Sequence, residues 1–315
     1  MTMLDRRSVL LAGIGIAGLA AAPALARPRG FFARHRLPVG IQLYTVSGEA
    51  ARDLDGTFAR LAAIGFRTVE LAGYHGHTPA TLRAAADKAG LRFTSIHMAA
   101  TTQGRVTGLD SDPARIGAEL RTLGIEDVVL PILPFVRDGR PQAGESVQAQ
   151  IARIVAAGGA DPWKRTAALL NARGKVLRRE GLRLGYHNHN LEFAPVDGRT
   201  GFEILMAETD PDVVSFEMDA GWVVAAGLDP VALIRRYPRR FRQMHVKDIL
   251  ASTTPNFAMQ QDPTEVGSGI IPWQTLVPAA YAAGIRQFYV EQEPPFTGSR
   301  LDAVAKSFAY LTRQL

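Results

Sequence analysis

The chain of 315 residues contains no cysteine. Disulfide frameworks, thiolate nucleophiles and thiolate metal ligands are therefore excluded. The absence of cysteine fits an oxidising compartment. Hydrophobic residues make up 47% of the chain and charged residues 21%, which is the composition of a packed globular protein and not of a disordered one.

The chain also has little excess charge outside its N-terminus. The formal net charge is +6, of which residues 1–26 contribute one unit and residues 27–36 four, leaving one unit for the remainder. A body that is nearly neutral lacks the basic face that nucleic acid requires. The sequence therefore predicts no nucleic-acid partner.

No apolar run is long enough to span a bilayer. The N-terminal run covers about 14 residues after Arg6-Arg7, whereas a spanning helix needs about 20. With Ala24 and Ala26 at its end, it resembles a twin-arginine export signal cleaved after Ala26. We therefore expect a signal at residues 1–26, a basic and poorly ordered leader at 27–37, export through the twin-arginine translocase and a periplasmic location.

No glycine-rich nucleotide-binding motif occurs between a predicted strand and a helix, where such a motif binds phosphate. The G-x-G-x-x-G at residues 13–18 lies inside the export signal with no strand before it, and no such motif follows the first predicted strand. The glycine-rich segment 265–269 has no following Lys-Ser/Thr, so it is not a phosphate-binding P-loop.

The chain does contain a repeated pattern of strands and helices. Five short apolar stretches end in polar or charged residues, at 95–97, 186–189, 216–219, 244–248 and 289–293, and helix-like segments alternate with them. Eight strands are predicted, at residues 39–46, 68–72, 92–99, 127–133, 183–189, 213–219, 241–249 and 287–293. This repeat predicts an α/β fold, a single-domain (β/α)8 TIM barrel over residues 38–315, with an open doubly wound sheet as the competing fold.

Strand parity predicts which side chains enter the barrel. In the sixth strand Val214, Phe216 and Met218 face one way, whereas Glu217 and Asp219 face the other. Four inward positions at the ends of strands five to eight combine imidazole and carboxylate: His187, Asp219, His245 and Glu291. This set suits one divalent metal ion such as Mn²⁺, Zn²⁺ or Co²⁺. For each residue alone, a buried, hydrogen-bonded polar side chain is the alternative.

Several motifs resemble those of the sugar phosphate isomerase/epimerase family, the xylose isomerase-like barrels. They are LGYHNHNLEF at 184–193, MDAGWVVAAGLDP at 218–230, HVKD at 245–248, EVGSG at 265–269 and VEQ at 290–292. The resemblance covers residues 38–315 and implies a metal ion held by Glu, Asp, His and Glu at the ends of strands five to eight. Asp219, His245 and Glu291 match the last three ligands. His187 stands where the family has its first glutamate, with Glu192 as a possible substitute.

The remaining site candidates are assigned by position. Glu291, His97 and Lys247 are predicted to be catalytic, although His97 also fits a structural hydrogen bonder and Lys247 a plain ion pair. The predicted substrate-binding residues are Gln42, Glu70, His189, Glu192 and Trp222. Trp222 stands where many relatives have a second histidine, and it suits either a stacking wall for a sugar ring or a lid over the barrel.

Together these features predict a metal-dependent isomerase, epimerase or lyase of a sugar or keto-sugar derivative. Glu291 would remove a proton next to a metal-bound carbonyl, giving an enediolate, and β-elimination from a 3-keto-glycoside is one variant. Two alternatives are a non-catalytic periplasmic sugar-binding protein with a degenerate site and a nuclease resembling endonuclease IV. A small-molecule sugar is the expected partner, and the sequence leaves a homo-oligomer open.

Overall fold

The computed structural model describes residues 30–104, 106–134 and 144–315. Its central feature is a closed barrel of eight parallel strands, numbered here in chain order. The strands are β1 Gly40–Gln42, β2 Thr68–Ala72, β3 Arg92–His97, β4 Asp127–Leu130, β5 Arg183–His187, β6 Val214–Asp219, β7 Phe241–Val246 and β8 Gln287–Val290.

The barrel closes between its first and last strands. Gly40 of β1 pairs with Thr68 of β2 on one side and with Tyr289 of β8 on the other. Each strand from β2 to β8 pairs in parallel with the strand that precedes it in the chain. The predicted single-domain (β/α)8 barrel is therefore confirmed, and the open doubly wound sheet is excluded.

Helices follow the strands and cover the barrel. Their bounds are Phe31–Arg34, Ser47–Arg52, Leu54–Ile64, Pro79–Ala89, Pro113–Leu123, Val147–Ala157, Asp161–Arg179, Gly201–Glu208, Ala220–Ala225, Pro230–Arg236, Trp273–Ala282 and Arg300–Arg313. Short 3₁₀ turns lie at Leu43–Val46 and Leu191–Phe193. Two small two-stranded sheets outside the barrel pair Pro195–Val196 with Arg199–Thr200 and Asp248–Ile249 with Pro263–Thr264.

Local sequence signals account for many helix ends. The helix Pro79–Ala89 begins after Thr78, whose side chain accepts a hydrogen bond from the amide of Thr81, and it ends at Gly90 with φ of 69°. Gly124, with φ of 74°, ends the helix Pro113–Leu123 in the same left-handed conformation. Glycine adopts this conformation without a Cβ penalty, so it returns the chain toward the next strand.

The strands end earlier than the sequence predicts. β1 stops at Gln42 and turns at once into the Leu43–Val46 3₁₀ turn, and β5 stops at His187. The residues beyond, up to 46 and 189, are not in the ladder, and two of them, Tyr44 and His189, line a cavity. Four helices were also unpredicted, Phe31–Arg34, Ser47–Arg52, Val147–Ala157 and Ala220–Ala225.

The expectation of a poorly ordered leader is wrong for its second half. Residues Phe31–Arg34 form a short helix in which Phe31 and Phe32 are buried. Phe31 packs edge-on against Tyr281 at 5.7 Å between ring centroids, and Phe32 packs against Phe288 at 5.6 Å. Aromatic burial of this kind offsets the entropy cost of ordering a short segment.

The export signal predicted at residues 1–26 lies outside the described residues. Among the residues that are described, no helix combines the length and the apolar content that a membrane crossing requires.

Candidate functional site

Strand parity brings a layer of acids and imidazoles to the C-terminal mouth of the barrel. In β6, Glu217 and Asp219 point inward and are fully buried, while Phe216 and Met218 pack under the helices. β7 contributes His245 in the same way. The carboxyl ends of parallel barrel strands all lie on one face, which is why residues distant in sequence meet there.

The four residues predicted as metal ligands lie next to one another. We call His187, Asp219, His245 and Glu291 the outer set. His187 Nε2 and His245 Nδ1 each lie 3.8 Å from Asp219 Oδ2, and His245 Nδ1 lies 3.0 Å from Glu291 Oε2. Asp219, His245 and Glu291 each offer a ligand atom, all within 4.8 Å of one another. The structure thus brings the predicted set together, and its role as a metal site stays a prediction.

Lys247 lies against the outer set. Its Nζ is 2.8 Å from Asp219 Oδ2, 2.7 Å from Glu291 Oε2 and 2.7 Å from Glu293 Oε1. Burial alone would lower the pKa of Lys247, but the three carboxylates hold it well above its usual value. Lys247 is therefore a permanent cation in the site.

The pKa values of the two acids of the outer set, Asp219 and Glu291, are shifted in opposite directions. Burial raises the pKa of Asp219 to about 6 despite the nearby Lys247. Burial also acts on Glu291, but Lys247 and His245 hold its pKa well below the usual value. Glu291 is thus the carboxylate that stays ionised across the neutral range.

A second cluster lies deeper in the barrel. We call His97, His187, Glu217 and His245 the inner set, in which Glu217 Oε2 lies 2.8 Å from His97 Nε2, 3.0 Å from His187 Nδ1 and 3.1 Å from His245 Nε2. Their ligand atoms also lie within 4.8 Å of one another. Glu217 was not among the predicted site residues, although strand parity had already placed it inward.

Glu70 and Gln42 form the layer beneath the inner set. Glu70 Oε1 lies 2.6 Å from His245 Nε2, and it accepts a hydrogen bond of 2.8 Å from Gln42 Nε2. Gln243, which sequence reasoning did not single out, donates to Glu70 Oε2 at 3.3 Å. Both predicted substrate-binding residues therefore lie below the cavity, where they orient His245 and do not line the cavity wall.

The imidazoles of the inner set have different proton affinities. Burial would lower the pKa of His97, yet Glu70 and Glu217 raise it to about 9. Burial likewise opposes protonation of His245, whose pKa Glu217, Glu291 and Glu70 raise well above the usual value. His187 has a pKa well below the usual value because of burial and the neighbouring His245.

A cavity of about 430 Å³ opens above the two sets. Its polar wall includes His97, His187, His189, Glu291 and Glu293. Its apolar wall is formed by Tyr44, Tyr74, Ile96, Met98, Val106, Ile132, Trp222 and Met259. Polar groups at one place and apolar surface elsewhere are typical of small-molecule sites.

Trp222 and His189 lie side by side on this wall. Their ring centroids are 5.6 Å apart, and Lys247 Nζ lies 5.0 Å from the Trp222 ring centroid. Burial lowers the pKa of His189 to about 3, so this imidazole is neutral. Trp222 is part of the cavity wall, and its role as a stacking surface for a sugar ring stays a prediction.

The structure places Glu192 away from both metal sets. Its carboxylate accepts hydrogen bonds from the Tyr186 hydroxyl at 2.6 Å and from the His189 amide at 2.9 Å, and it does not line the cavity. The interpretation of Glu192 as a substitute ligand or substrate-binding residue is therefore corrected. Glu192 braces the loop after β5, and burial raises its pKa to about 7.

Asp248 explains why the HVKD and EVGSG motifs occur together. Its carboxylate accepts hydrogen bonds from the amides of Gly267 at 2.9 Å and Ile271 at 3.2 Å, and from Trp273 Nε1 at 2.8 Å. Asp248 therefore fixes the 265–273 segment to the end of β7. It positions this loop and does not line the cavity.

The charge balance of the site fits a bound cation. Five acids lie within it, at positions 70, 217, 219, 291 and 293, while Lys247 is the only permanent cation within 4 Å of them among the described residues. Glu217 Oε1 is buried without a protein hydrogen-bond partner in the described part of the chain. Buried carboxylates require compensation, and imidazole and carboxylate donors together suit a divalent metal ion. The His/Glu/Asp cluster could therefore hold one.

Comparisons with known proteins agree with this architecture. The family model described as xylose isomerase-like TIM barrel matches residues 58–314. An inosose dehydratase from Lacticaseibacillus casei is 36% identical over 89 residues, which span 28% of this chain and only 29% of that relative.

Two solved structures are similar over most of their length. A sugar phosphate isomerase/epimerase from Parabacteroides distasonis ATCC 8503 is 25% identical with a TM-score of 0.65, covering 88% of this chain and 93% of its own. A second such protein from the same organism is 23% identical with a TM-score of 0.69, covering 88% and 98%. The second likeness shows the fold alone.

Proposed function

This chain belongs to the xylose isomerase-like TIM barrel family, and on that premise we propose that it is a metal-dependent lyase of keto-sugar derivatives. The reaction would remove a carbon-bound proton next to a carbonyl and then expel a β-leaving group, either water or an alcohol. The observation that most directly supports this proposal is the outer set, in which two imidazoles and two carboxylates meet beside Lys247 at the floor of the cavity.

Glu291 is the base in this proposal. Its carboxylate faces the cavity and stays ionised, and its Oε2 is held by His245 and Lys247. A divalent ion held by His187, Asp219, His245 and Glu291 would supply Lewis-acid polarisation of the carbonyl. The ammonium of Lys247, buried against Asp219 and Glu291, adds a fixed positive charge close to the site where negative charge develops.

His97 is proposed to protonate the leaving group. It lines the cavity, and its Nε2 lies between Glu217 Oε2 at 2.8 Å and Glu70 Oε1 at 3.3 Å. Two carboxylates at this distance favour the protonated imidazole, which is the form a general acid requires. Elimination needs one base and one acid, as Glu291 and His97 provide.

Elimination is favoured over two-base epimerisation by the residue at 187. Epimerisation through a pair of metal-bound glutamates needs a carboxylate at the end of β5, and this chain has an imidazole there. The partial relative is named inosose dehydratase, and a dehydration is an elimination.

An unphosphorylated substrate fits the cavity best. Among the described residues that line it, none is lysine or arginine, so a phosphate would lack a charged partner there. Trp222 offers an apolar face to a sugar ring. Export by the signal at residues 1–26 would place the enzyme in the periplasm.

The proposal is tested by proton exchange. The purified, metal-loaded protein is incubated in D₂O with a panel of inososes, 3-keto-glycosides and ketoses, and deuterium uptake and product release are followed by NMR. We expect exchange next to the carbonyl with loss of water or alcohol from at least one keto-sugar. An Asp219→Asn variant keeps the oxygen that accepts from the Trp222 amide but loses a metal ligand, so its rate should fall with its metal content.

Two outcomes would contradict the proposal. Binding of keto-sugar without exchange would support a sugar-binding protein instead. Exchange at the normal rate in the metal-free Asp219→Asn variant would exclude the metal from the reaction.

A further inference from the structure

We propose that His97, His187, Glu217 and His245, the inner set, form a second metal site that prefers Zn²⁺. We propose also that an ion there excludes one from the outer set. The first statement stands on geometry alone, and only the second rests on the proposed function.

The donor atoms of the inner set all lie within 4.8 Å of one another. Three imidazole nitrogens lie 2.8, 3.0 and 3.1 Å from Glu217 Oε2. In a tetrahedral zinc site with bonds of about 2.0 to 2.2 Å, neighbouring ligand atoms lie about 3.4 Å apart. Each of the three nitrogens would therefore need to move a few tenths of an ångström away from Glu217 Oε2 to admit the ion. Glu217 Oε1 is buried and has no protein hydrogen-bond partner in the described residues, so one oxygen of this carboxylate still lacks a donor or a cation.

The two sets differ in chemistry. The inner set offers three imidazoles and one carboxylate, a combination that suits Zn²⁺. No lysine or arginine lies within 4 Å of Glu217 among the described residues. In the outer set, by contrast, the ammonium of Lys247 lies 2.8 Å from Asp219 Oδ2 and 2.7 Å from Glu291 Oε2. A dication entering the outer set meets that ammonium, whereas one entering the inner set displaces protons from its imidazoles.

Two histidines belong to both sets, and they use opposite nitrogens in each. His187 turns Nδ1 to Glu217 at 3.0 Å and Nε2 to Asp219 at 3.8 Å. His245 turns Nε2 to Glu217 at 3.1 Å and Nδ1 to Glu291 at 3.0 Å. A neutral imidazole has one lone pair for a metal and carries a proton on its other nitrogen.

Because His187 and His245 belong to both sets, a metal ion can occupy only one of the two sets at a time. An ion in the inner set takes Nδ1 of His187 and Nε2 of His245, and the protons then lie on the nitrogens that face Asp219 and Glu291. The outer set loses two of its four ligands. The same ion would also occupy His97, the proposed acid, so inner zinc is the inactive metal state.

Calorimetric zinc titration of the metal-free full-length protein tests the site. We expect one equivalent in the wild type. His97→Gln should weaken zinc affinity at least tenfold because it removes an inner ligand and no outer one. His189→Gln is the matched control, since this imidazole lines the same cavity with its ring 5.0 Å from that of His187, and it belongs to neither set. Its zinc affinity should stay within about twofold of the wild type.

Asp219→Asn separates this inference from the proposed function. It removes an outer ligand, so it should abolish keto-sugar turnover but leave zinc affinity within about threefold. Glu217→Gln provides a second inner variant, with circular dichroism of each metal-free variant as the folding check. Unchanged zinc affinity in folded His97→Gln or Glu217→Gln, or its loss in Asp219→Asn alone, would overturn the inner site. Two zinc ions per chain would overturn the exclusion.

Discussion

The two ends of the barrel use buried polar residues in opposite ways. At the N-terminal end, Asp127 accepts hydrogen bonds from Arg183 Nε at 2.7 Å and from Gln287 Nε2 at 3.0 Å. Tyr289 donates its hydroxyl to Gln287 at 2.8 Å and contacts Thr94 at 2.8 Å. At the C-terminal end, Asp219, Glu291 and Glu293 share the Lys247 ammonium, and Glu70 and Glu217 have no lysine or arginine partner among the described residues. One end is a closed network of matched pairs, and the other holds excess negative charge.

This difference between the two ends indicates that the N-terminal ends of the strands stabilise the fold, whereas their C-terminal ends form the candidate site. A fully paired buried network stabilises the fold, whereas an excess of buried carboxylates lowers stability unless protons or metal ions compensate it. In TIM barrels the C-terminal face carries the site and the opposite face the stability. Substitutions at the two ends should therefore separate into activity effects and folding effects.

The largest effect is expected from Glu291→Gln at the C-terminal end. Loss of a general base typically costs 10² to 10⁴ in rate, so turnover of the active keto-sugar should fall at least about 100-fold, or about 2.7 kcal/mol of transition-state stabilisation. Steady-state kinetics with the substrate found by proton exchange gives the ratio, and thermal unfolding checks the fold.

Glu293→Gln is the control for this prediction. Glu293 contacts the same Lys247 ammonium at 2.7 Å, but it belongs to neither metal set. Its loss should lower turnover by less than about tenfold, since it removes a neighbouring charge and no base. Equal losses in the two variants would mean that Glu291 acts only through Lys247.

A smaller effect, now on folding, is expected from Asp127→Ala at the N-terminal end. The substitution leaves the partly buried Arg183 and Gln287 without their acceptor, which should lower the free energy of unfolding by about 2 kcal/mol. Turnover per folded molecule should not change. Urea unfolding measures the first quantity and active-site kinetics the second.

Glu126→Ala is matched to this variant because Glu126 binds the same arginine, at 2.8 Å, from a side chain that is 66% exposed. An exposed pair should contribute about 0.5 kcal/mol or less. If Asp127→Ala reduced turnover as strongly as Glu291→Gln, the division between the two ends would be wrong.

Much of the site at the C-terminal end could be predicted from the sequence, because side chains alternate along each strand and the strands follow one another in chain order. Asp219 and His245 are inward residues at strand ends, so an eight-strand barrel necessarily brings them close. Glu217 was missed because it lies two residues before Asp219, where alternation shows direction but not depth. The inner set depends on which nitrogen each histidine presents, and side-chain rotation is not encoded in a spacing.

Glu192 shows a different limit of sequence reasoning. Its position five residues after His187 suggested a replacement ligand, but the Leu191–Phe193 turn directs its carboxylate to Tyr186. Phe31 and Phe32 show a third limit, because a four-residue helix has no periodicity to detect and forms only through contacts with Tyr281 and Phe288. Tertiary packing decided both cases.

The smallest predicted effect concerns the pH dependence of stability at Glu192. Burial raises its pKa from 4.5 to about 7, so the folded state holds a proton that the unfolded state has released. The stability that this group contributes is complete below its unfolded pKa and is lost as the pH rises through its folded pKa. Between pH 5 and pH 8 the wild type should therefore lose about 2 kcal/mol more than Glu192→Gln.

Urea unfolding at several pH values measures this difference, and Tyr186→Phe sharpens it. The Tyr186 hydroxyl donates to Glu192 and lowers its pKa, so removing the hydroxyl should raise that pKa further and extend the loss of stability to higher pH. Glu192 lies outside both metal sets, so the same difference should appear with and without zinc. Parallel pH curves for the wild type and Glu192→Gln would show that this carboxyl does not titrate near neutrality, which would contradict the raised pKa.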